Sequence, residues 1–354
     1  MNPQLLYKTY FSFFIFAFIF SLLIYSILLR FSRTLGMRIK DESLIRWQTQ
    51  LKPSWGGIGF YIAFLLTVAV YPVFFPQGSI LVNTQLLGFL AATTIAFLMG
   101  LADDAYNTKP LLKFIVQLAC AIILIETGTY IQIFPNELAN YFITLLWVVG
   151  IMNSINMLDN MDAIATIISI CIIGFAIIER YLLNDFSNLY IFLLFGLLAA
   201  LIAFLYYNWY PSKMYMGDTG SQFLGVILAA VGIICCWNTE DLHGARIQTK
   251  QFLVTAFTFI IPLCDTLAVI INRTLKGRSP FVGGRDHTTH FLFFNGVTER
   301  RIAILFAFIT LVSLGLNLII LSIGDTWNLA LFFGFSAWFF LVFGILFYFT
   351  RRKR

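Results

Sequence analysis

The stretch AFLMGLADDAYNTK, residues 96–109, carries an apolar run directly into two adjacent aspartates, Asp103 and Asp104. The run has the composition of a membrane-spanning helix. Two neighbouring carboxylates repel each other, and acids are unfavourable at a helix C-terminus. Such a pair becomes tolerable where a cation or a proton lies between the carboxylates. The stretch therefore predicts a spanning helix that ends at a charged site.

The composition extends this interpretation to the whole chain. Of its residues, 60% are hydrophobic and 11% are charged, whereas soluble domains have about 25% charged residues. We predict an all-α integral membrane protein, a single polytopic domain over residues 1–354 with about eleven transmembrane helices. The apolar segments are 10–30, 56–75, 80–102, 111–127, 138–152, 161–180, 186–207, 218–237, 251–272, 301–323 and 326–349.

The distribution of basic residues predicts the orientation of these helices. Nineteen of the 23 Lys and Arg residues fall on alternate loops and the C-terminal tail. Because cytoplasmic loops are enriched in Lys and Arg, the N-terminus is expected outside and the C-terminus in the cytoplasm. The net charge of +6 thus reflects membrane orientation, and no nucleic-acid partner is expected. The predicted cytoplasmic active-site loops are 31–55, 103–113, 153–162, 208–221 and 273–300.

Polar side chains recur at steps of three residues in NSINMLDNMDAIA, which follows the fifth segment. They are Asn153, Asn156, Asp159 and Asp162. On a helix each such step drifts by about 60°, so neighbours in this ladder touch while its two ends diverge. A helix that breaks near Asn160 would let the side chains converge.

Two further stretches on the same side favour phosphate binding. In MYMGDTGSQFLG, Gly217 and Gly220 flank Asp218 at the start of the eighth segment, and such a turn allows close approach by phosphate. In LKGRSPFVGGRDHTTH, arginines and histidines suited to a diphosphate cluster before the tenth segment: Arg278, Arg285, His287 and His290. Clustered acids without cysteine suit a hard cation such as Mg²⁺.

Each stretch alone also has a structural interpretation. The aspartate pair could be a hydrated helix end, the ladder could bond neighbouring helices, Gly217 and Asp218 could form an N-cap turn, and the basic loop could only set orientation. Asp265, inside the ninth segment, stays open between a functional acid and a structural hydrogen bond. An ion-coupled transporter is the alternative from another class, but it predicts polar groups near mid-bilayer and two related halves.

The chain resembles the bacterial polyprenyl-phosphate N-acetylhexosamine-1-phosphate transferases of glycosyltransferase family 4. GLADDAYNTKPLLKFIVQ is similar to the family's Asp-Asp motif, NSINMLDNMDAIA to NxxNxxDGxDGLA, and MGDTGSQFLG to MGDxGSxxLG. GRSPFVGGRDHTTHFL resembles its arginine and histidine loop, and RWQTQLKPSWGGIGFY its first cytoplasmic loop. The resemblance covers essentially the whole chain, with five motifs in order.

The resemblance implies a reaction and a set of site residues. The lipid phosphate would attack the β-phosphorus of a UDP-sugar and release UMP, with Mg²⁺, or alternatively Mn²⁺, as the cofactor. A double displacement through an aspartyl phosphate stays open. Catalytic residues would be Asp103, Asp104, Asp159 and Asp162, with Asp103 as the base or orienting group for the lipid phosphate. Metal ligands would be Asp218 and Asn156. Substrate-binding residues would be Asn153, Lys113, Gly217, Arg278, Arg285, His287 and His290.

The same resemblance implies the partners and the location. The substrates would be a UDP-N-acetylhexosamine, with GlcNAc-1-phosphate preferred as the transferred group, and undecaprenyl phosphate. The enzyme would lie in the bacterial inner membrane, with a cytoplasmic active site, and would start cell-envelope polysaccharide synthesis, such as that of lipopolysaccharide or O-antigen. Formation of a homodimer stays open. The alternative within the class is a phospho-N-acetylmuramoyl-pentapeptide transferase, against which the GRSPF stretch argues.

Several positions depart from the family's pattern. Asn160 and Ala163 stand where the family usually has glycine, and Thr289 stands where it often has histidine. Gly284 replaces an aspartate before the arginine of the loop, and Phe291 leaves His290 without an adjacent histidine. The acids are retained, so the reaction class is unaffected. The departures concern the identity of the sugar and the role of the histidine loop.

Overall fold

The computed structural model describes residues 3–34, 52–75, 83–185, 189–278, 284 and 286–352. These residues form an all-helical structure, as predicted, without strands in the described ranges. Arg285 and most of the predicted loop 31–55 lie outside them. The α-helices are α1 Pro3–Thr34, α2 Gly56–Phe74, α3 Thr84–Tyr106, α4 Pro110–Glu126, α5 Glu137–Leu158, α6 Ile164–Leu182, α7 Leu189–Asn208, α8 Gly217–Gly232, α9 Gln248–Thr258, α10 Ile260–Leu275, α11 Thr288–Phe294, α12 Glu299–Ser322 and α13 Leu329–Arg351.

The number of full-length spans is lower than the eleven predicted. Within the described ranges, nine helices are long and apolar enough to cross a membrane, and α9 with α10 forms one further candidate that is bent by 81°. The remaining predicted segment is α4, whose 17 residues rise about 26 Å, less than a bilayer core of about 30 Å. The protein is a multi-pass membrane protein in which one predicted span is broken and one is short.

The break between α9 and α10 has a cause in the sequence. α9 ends at Thr258 and α10 begins at Ile260. Pro262 follows Thr258 by four residues and has no N–H to donate to the Thr258 carbonyl, so the helical ladder is interrupted at this point. The ninth apolar segment therefore bends at this point.

Helix α8 forms the centre of the bundle, and small residues allow its neighbours to approach. The most apolar part of the stretch Gly217–Trp237, which includes α8, is 94% buried, whereas the most apolar part of α13 is 11% buried. A Cβ atom at Gly57 of α2 would lie 2.1 Å from the backbone nitrogen of Gly220, and one at Gly100 of α3 would lie 2.4 Å from the carbonyl oxygen of Asp218. Glycine thus brings α2 and α3 into backbone contact with the start of α8.

A tight connection between α3 and α4 folds the chain back beside the aspartate pair. α3 ends at Tyr106 and is followed by Asn107, which adopts a left-handed conformation with φ of 50°. α4 begins with Pro110 at its first turn, where the missing N–H of proline costs nothing. Lys113, in that first turn, therefore returns towards the end of α3.

The predicted break near Asn160 is confirmed. α5 ends at Leu158, and the turn that follows leads into α6 through Ala163, whose φ is 67°. This left-handed conformation favours glycine, the residue that the family pattern has there. Asn208 supports the alanine, because its Oδ1 accepts a hydrogen bond of 3.1 Å from the Ala163 amide.

Candidate active site

Lys113 lies between the carboxylates of Asp103 and Asp218. Its ammonium group forms an ion pair with Asp103, and Nζ lies 3.9 Å from Asp218 Oδ1. The side chain of Asp103 is 3% exposed, whereas those of Lys113 and Asp218 are 25% and 33% exposed. One lysine thus serves two carboxylates, and the cluster keeps an excess of negative charge that is open to solvent.

The turn after α3 fixes Asp103 in place. Its Oδ1 accepts hydrogen bonds from the backbone amide of Thr108 at 2.8 Å and from the Thr108 hydroxyl at 2.6 Å. Its Oδ2 carries the ion pair with Lys113, so both carboxylate oxygens have partners. Thr108 is absent from the predicted site, although Asp103 followed by the Asn-Thr turn is a sequence signal for this type of bonding.

Asp104 has different partners from Asp103 and binds the start of α8. Its Oδ2 accepts hydrogen bonds from the backbone amide of Thr219 at 2.9 Å and from the Thr219 hydroxyl at 2.7 Å. A Cβ atom at Gly217 would lie 2.6 Å from the same oxygen, and Gly217 has φ of +75°. Asp104 therefore satisfies backbone groups at the N-terminus of α8, as an N-capping carboxylate does.

Asn156 brings α5 into the cluster. Its Nδ2 lies 2.5 Å from Asp218 Oδ1 and 2.8 Å from the Ser221 hydroxyl, and donates to both. The carboxylate can only accept, so the amide nitrogen of Asn156 must face it. Asn156 thus orients Asp218, and its carbonyl oxygen is the atom that a cation would use.

Asn153, one turn deeper on α5, bonds a different helix. Its Nδ2 donates to Gln117 Oε1 at 2.9 Å, and Gln117 Nε2 donates to Gln222 Oε1 at 3.1 Å. These three amides join α4, α5 and α8 below the aspartates. Gln117 is missing from the predicted site, but it lies four residues after Lys113 and therefore on the same face of α4.

The last two members of the ladder lie beyond the end of α5. Asp159 is the half-buried residue at its C-terminus. Asp162 accepts hydrogen bonds from the backbone amide and hydroxyl of Ser212 at 2.9 and 2.8 Å, and lies 3.8 Å from Lys52 Nζ. The expected convergence of the whole ladder on one point is therefore wrong: Asn153, Asn156 and Asp162 have partners on three different elements.

Asp265 orients the histidine loop. His287 Nδ1 lies 2.9 Å from Asp265 Oδ2, and Oδ1 of the same aspartate accepts from the backbone amide and hydroxyl of Thr288 at 2.8 and 2.6 Å. The rings of His287 and His290 lie edge to face at 5.4 Å, and both side chains are buried. The role left open for Asp265 is thus a hydrogen bond that fixes His287 and the first turn of α11.

Two arginines near this loop, Arg273 at the end of α10 and Arg278, differ in burial. Arg273, which is buried, donates two hydrogen bonds to Asp286, at 2.7 and 2.6 Å. Burial alone would raise the pKa of Asp286, but the Arg273 guanidinium holds that pKa below its usual range. Arg278 is exposed, so its guanidinium is accessible to an anionic ligand.

The oxygen atoms around Asp218 fit a hard divalent cation that also binds phosphate. No three His, Cys, Asp or Glu side chains in the described ranges could hold a metal by themselves. Mg²⁺ commonly takes only one or two protein carboxylates and completes its shell with water and substrate phosphates. Asp218, a third exposed and close to Asp103 and Asp104, supplies such an open carboxylate.

Comparisons with known proteins match a family model to the part of the chain that contains this site. The family model described as "Glycosyl transferase family 4" matches residues 86–236, which run from α3 to four residues past the end of α8. This region contains the aspartate pair, Lys113, the Asn/Asp ladder and Asp218. The loop with His287 and His290 follows it.

Curated relatives extend the similarity beyond that region. The chain is 27% identical over 296 residues to the "Probable undecaprenyl-phosphate N-acetylglucosaminyl 1-phosphate transferase" of Bacillus subtilis, covering 80% of this chain and 78% of the relative. It is 26% identical to the "Undecaprenyl-phosphate alpha-N-acetylglucosaminyl 1-phosphate transferase" of Escherichia coli K12, covering 72% and 69%. It is 28% identical to the "Phospho-N-acetylmuramoyl-pentapeptide-transferase" of Carboxydothermus hydrogenoformans, covering 73% and 82%.

Proposed function

We propose that this chain, which belongs to glycosyl transferase family 4, transfers N-acetylhexosamine 1-phosphate from a UDP-sugar to undecaprenyl phosphate and releases UMP. GlcNAc-1-phosphate is the expected group, because the relatives from B. subtilis and E. coli carry that activity in their names. The observation that carries the proposal is the cluster of Asp103, Lys113 and Asp218, in which one lysine lies between two carboxylates in partial contact with solvent.

The reaction exchanges one phosphorus–oxygen bond for another. An oxygen of the lipid phosphate forms a bond to the β-phosphorus of the UDP-sugar, and the bond from that phosphorus to the bridging oxygen breaks. UMP leaves with the electron pair, and a lipid-diphosphate sugar remains. Catalysis of such a transfer depends on positioning and on neutralising phosphate charge.

The residues of the cluster divide these tasks. Asp103, fixed by Thr108 and Lys113, orients the lipid phosphate or accepts its proton. Lys113 faces incoming phosphate charge with its partly exposed ammonium group. Mg²⁺, held by Asp218 with Asn156 beside it, would offset charge on the diphosphate. Asp104 and Asp162 act indirectly. Asp104 holds the start of α8 through Thr219, and Asp162 holds the connection between α7 and α8 through Ser212.

Outside the cluster, the exposed Arg278 and Arg285, from the same sequence motif, would bind the diphosphate, which suits planar guanidinium groups. His287 and His290 would contact the donor from α11. These assignments rest on the resemblance together with the exposure of Arg278.

The site would face the cytoplasm of a bacterium, at its inner membrane. Nineteen of the 23 Lys and Arg residues fall on the side of the loops that form the cluster, which supports this orientation. Single cysteines at Lys276 and Arg246, both exposed, in a background without the five native cysteines, should react with an impermeant thiol reagent from opposite sides of the membrane, with the cysteine-free chain as the control. Labelling of both from outside intact cells contradicts the orientation.

A second donor is supported by one of the comparisons. The relative from C. hydrogenoformans is named as a phospho-N-acetylmuramoyl-pentapeptide transferase, so UDP-N-acetylmuramoyl-pentapeptide is the alternative substrate. An ion-coupled transporter is less well supported, because Asp103 lies near the C-terminus of α3 and Asp218 in the first turn of α8, away from the middle of either helix.

The test is a transfer assay. Membranes containing the protein are incubated with undecaprenyl phosphate and each radiolabelled UDP-sugar in turn, and both UMP and labelled lipid are measured. We expect equal amounts of the two products from UDP-N-acetylglucosamine and none from membranes with Asp218→Asn. Transfer from the muramoyl-pentapeptide donor alone would favour the second candidate, and no labelled lipid from any donor would contradict the proposal.

A further inference from the structure

A hydrogen bond joins α11 to the turn between α5 and α6. The hydroxyl of Thr289 donates to Asn160 Oδ1 at 2.8 Å, and Thr289 is fully buried. Asn160 Nδ2 in turn donates to the carbonyl of Met157 at 2.7 Å. Both ends of the Asn160 amide are therefore engaged inside the protein, and this residue connects the end of α5 to the histidine-bearing helix.

This bond is a second anchor of α11, in addition to the one at Asp265. Asp265 of α10 binds His287 and the backbone amide of Thr288, while Thr289 reaches Asn160 in the turn that also contains Asp159 and Asp162. Helix α11 has only seven residues, which is too short to be stable without such contacts. Its two anchors therefore determine where His287 and His290 lie relative to the acidic turn.

The two partners of this bond are both departures from the family pattern. Asn160 stands in place of a glycine, which has no side chain to accept a hydrogen bond, and Thr289 stands in place of a histidine, which is larger. A histidine at position 289 would meet the amide of Asn160, and a glycine at position 160 would remove the oxygen to which Thr289 donates. The two departures are thus complementary: each is accommodated by the other.

We propose that Asn160 and Thr289 form a positioning pair that sets how the histidine helix meets the sugar of the UDP-sugar donor. The inference rests on the proposed transferase function. The pair places a hydroxyl where the family has an imidazole and an engaged amide where it has a glycine. Neither residue is bonded to the cluster of Asp103, Lys113 and Asp218, so the pair affects recognition of the donor. Its loss therefore raises the KM for the UDP-sugar and leaves kcat largely unchanged.

A double-mutant cycle tests the pair. Thr289→Val keeps the shape of the side chain and removes the hydroxyl, and Asn160→Ala removes the acceptor. Each is expected to raise the KM for the UDP-sugar about tenfold, the effect of one buried hydrogen bond. The double variant should be no worse than either single variant, because the same bond is lost. Thr289→Ser, which keeps the hydroxyl, is the matched control and should retain the wild-type KM.

A second cycle uses the residues of the family pattern. Thr289→His alone should bind the donor poorly, and Asn160→Gly in the same chain should restore binding, because the amide that obstructs the imidazole is removed. This cycle keeps the test decisive if Thr289→Val fails to fold. Additive effects in both cycles, or an unchanged KM in the single variants, overturn the positioning role.

The dissociation constant of the UDP-sugar, measured by titration of the purified protein, separates this inference from the proposed function. Wild-type protein that transfers sugar phosphate while the variants behave additively leaves the function standing and removes the pair. Wild-type protein that neither binds nor transfers from any UDP-sugar overturns both. Non-additive changes in the dissociation constant of the UDP-sugar among the variants, together with a wild-type kcat, support both the positioning pair and the proposed function.

Discussion

The two ends of the helix bundle both bury charged side chains, but they neutralise them differently. At the aspartate end, defined by Asp103, Lys113 and Asp218, one lysine lies between two carboxylates and two of the three side chains are partly exposed. At the opposite end, around Asp241 and Lys250, each buried charge has its own counter-charge. The first arrangement is open to a further ligand, and the second is closed.

The opposite end is held by complete pairs. Lys250 and Asp241 form an ion pair in which both side chains are almost fully buried, and the ammonium also contacts the Ile323 carbonyl and lies 5.5 Å from the Trp327 ring. Burial alone would raise the pKa of Asp241, but the hydrogen bond from Lys250 and two from backbone amides hold that pKa below its usual range. This cluster joins the start of α9 to the connection between α12 and α13.

The difference shows which property of buried charge marks a site. Burial is common to both ends, and a buried, fully paired charge is explained by structure alone. An excess of negative charge together with exposure is a feature of the aspartate end, and it is the condition under which a cation would be bound. Variants at the two ends should therefore separate stability from activity.

The largest expected effect on stability comes from breaking the closed end. Lys250→Met replaces the lysine with an apolar side chain of similar length and leaves Asp241 buried without its ammonium partner. Removal of one member of a buried pair costs about 3–5 kcal/mol, so the thermal midpoint of the purified protein should fall strongly. The KM for the UDP-sugar in the protein that remains folded should not change. An unaltered midpoint would contradict the assignment of this pair as structural.

The largest expected effect on activity comes from the open end. Asp218→Asn keeps the size of the side chain and removes its charge. Transfer should fall at least about a hundredfold, as for loss of a principal electrostatic group, while the thermal midpoint and the membrane level change little. Assays over a range of Mg²⁺ concentrations provide the measurement. Wild-type rates with an unchanged Mg²⁺ dependence would remove Asp218 from the site.

Much of this arrangement could be predicted from the sequence. Apolar segments predicted the helices, and the basic loops predicted that the acids gather at one end, because successive spans return the chain to the same side. Asp103 and Asp104 are consecutive, so on a helix they diverge by about 100°. Their separate partners, Thr108 and Thr219, follow from that geometry.

Other features depend on contacts between distant segments, which periodicity does not reveal. Asp162 binds Ser212, because the left-handed Ala163 turns the chain after α5 towards the connection between α7 and α8. Asn160 meets Thr289 across 129 positions of sequence. Pro262 is a sequence signal for the break before α10. Proline is also tolerated inside membrane helices, so this residue alone does not show whether the helix breaks.

Separate substitutions of the two adjacent aspartates sharpen the comparison within the open end. Asp103→Asn should chiefly lower kcat, by about tenfold, which corresponds to about 1.4 kcal/mol of lost alignment. Asp104→Asn keeps an oxygen that Thr219 can bind, and should instead raise the Mg²⁺ requirement, with partial rescue at high Mg²⁺. Titration of Mg²⁺ against both variants at matched protein levels decides between these roles. Indistinguishable curves, or rescue of Asp103→Asn alone, would defeat the division while leaving the transferase function standing.

The smallest expected effect tests whether exposure alone accounts for the difference between the two ends. Arg246 pairs with Glu240 at 3.2 Å at the opposite end, and the two side chains are 52% and 46% exposed. Exposed pairs contribute about 0–1 kcal/mol, so Arg246→Gln should leave both the thermal midpoint and the transfer rate close to wild type. Lys250→Met at the same end is the matched comparison, because it differs in burial and not in location. A large loss of activity in Arg246→Gln would show that exposed charge matters at both ends, and the distinction between an open site and a closed structural cluster would then fail.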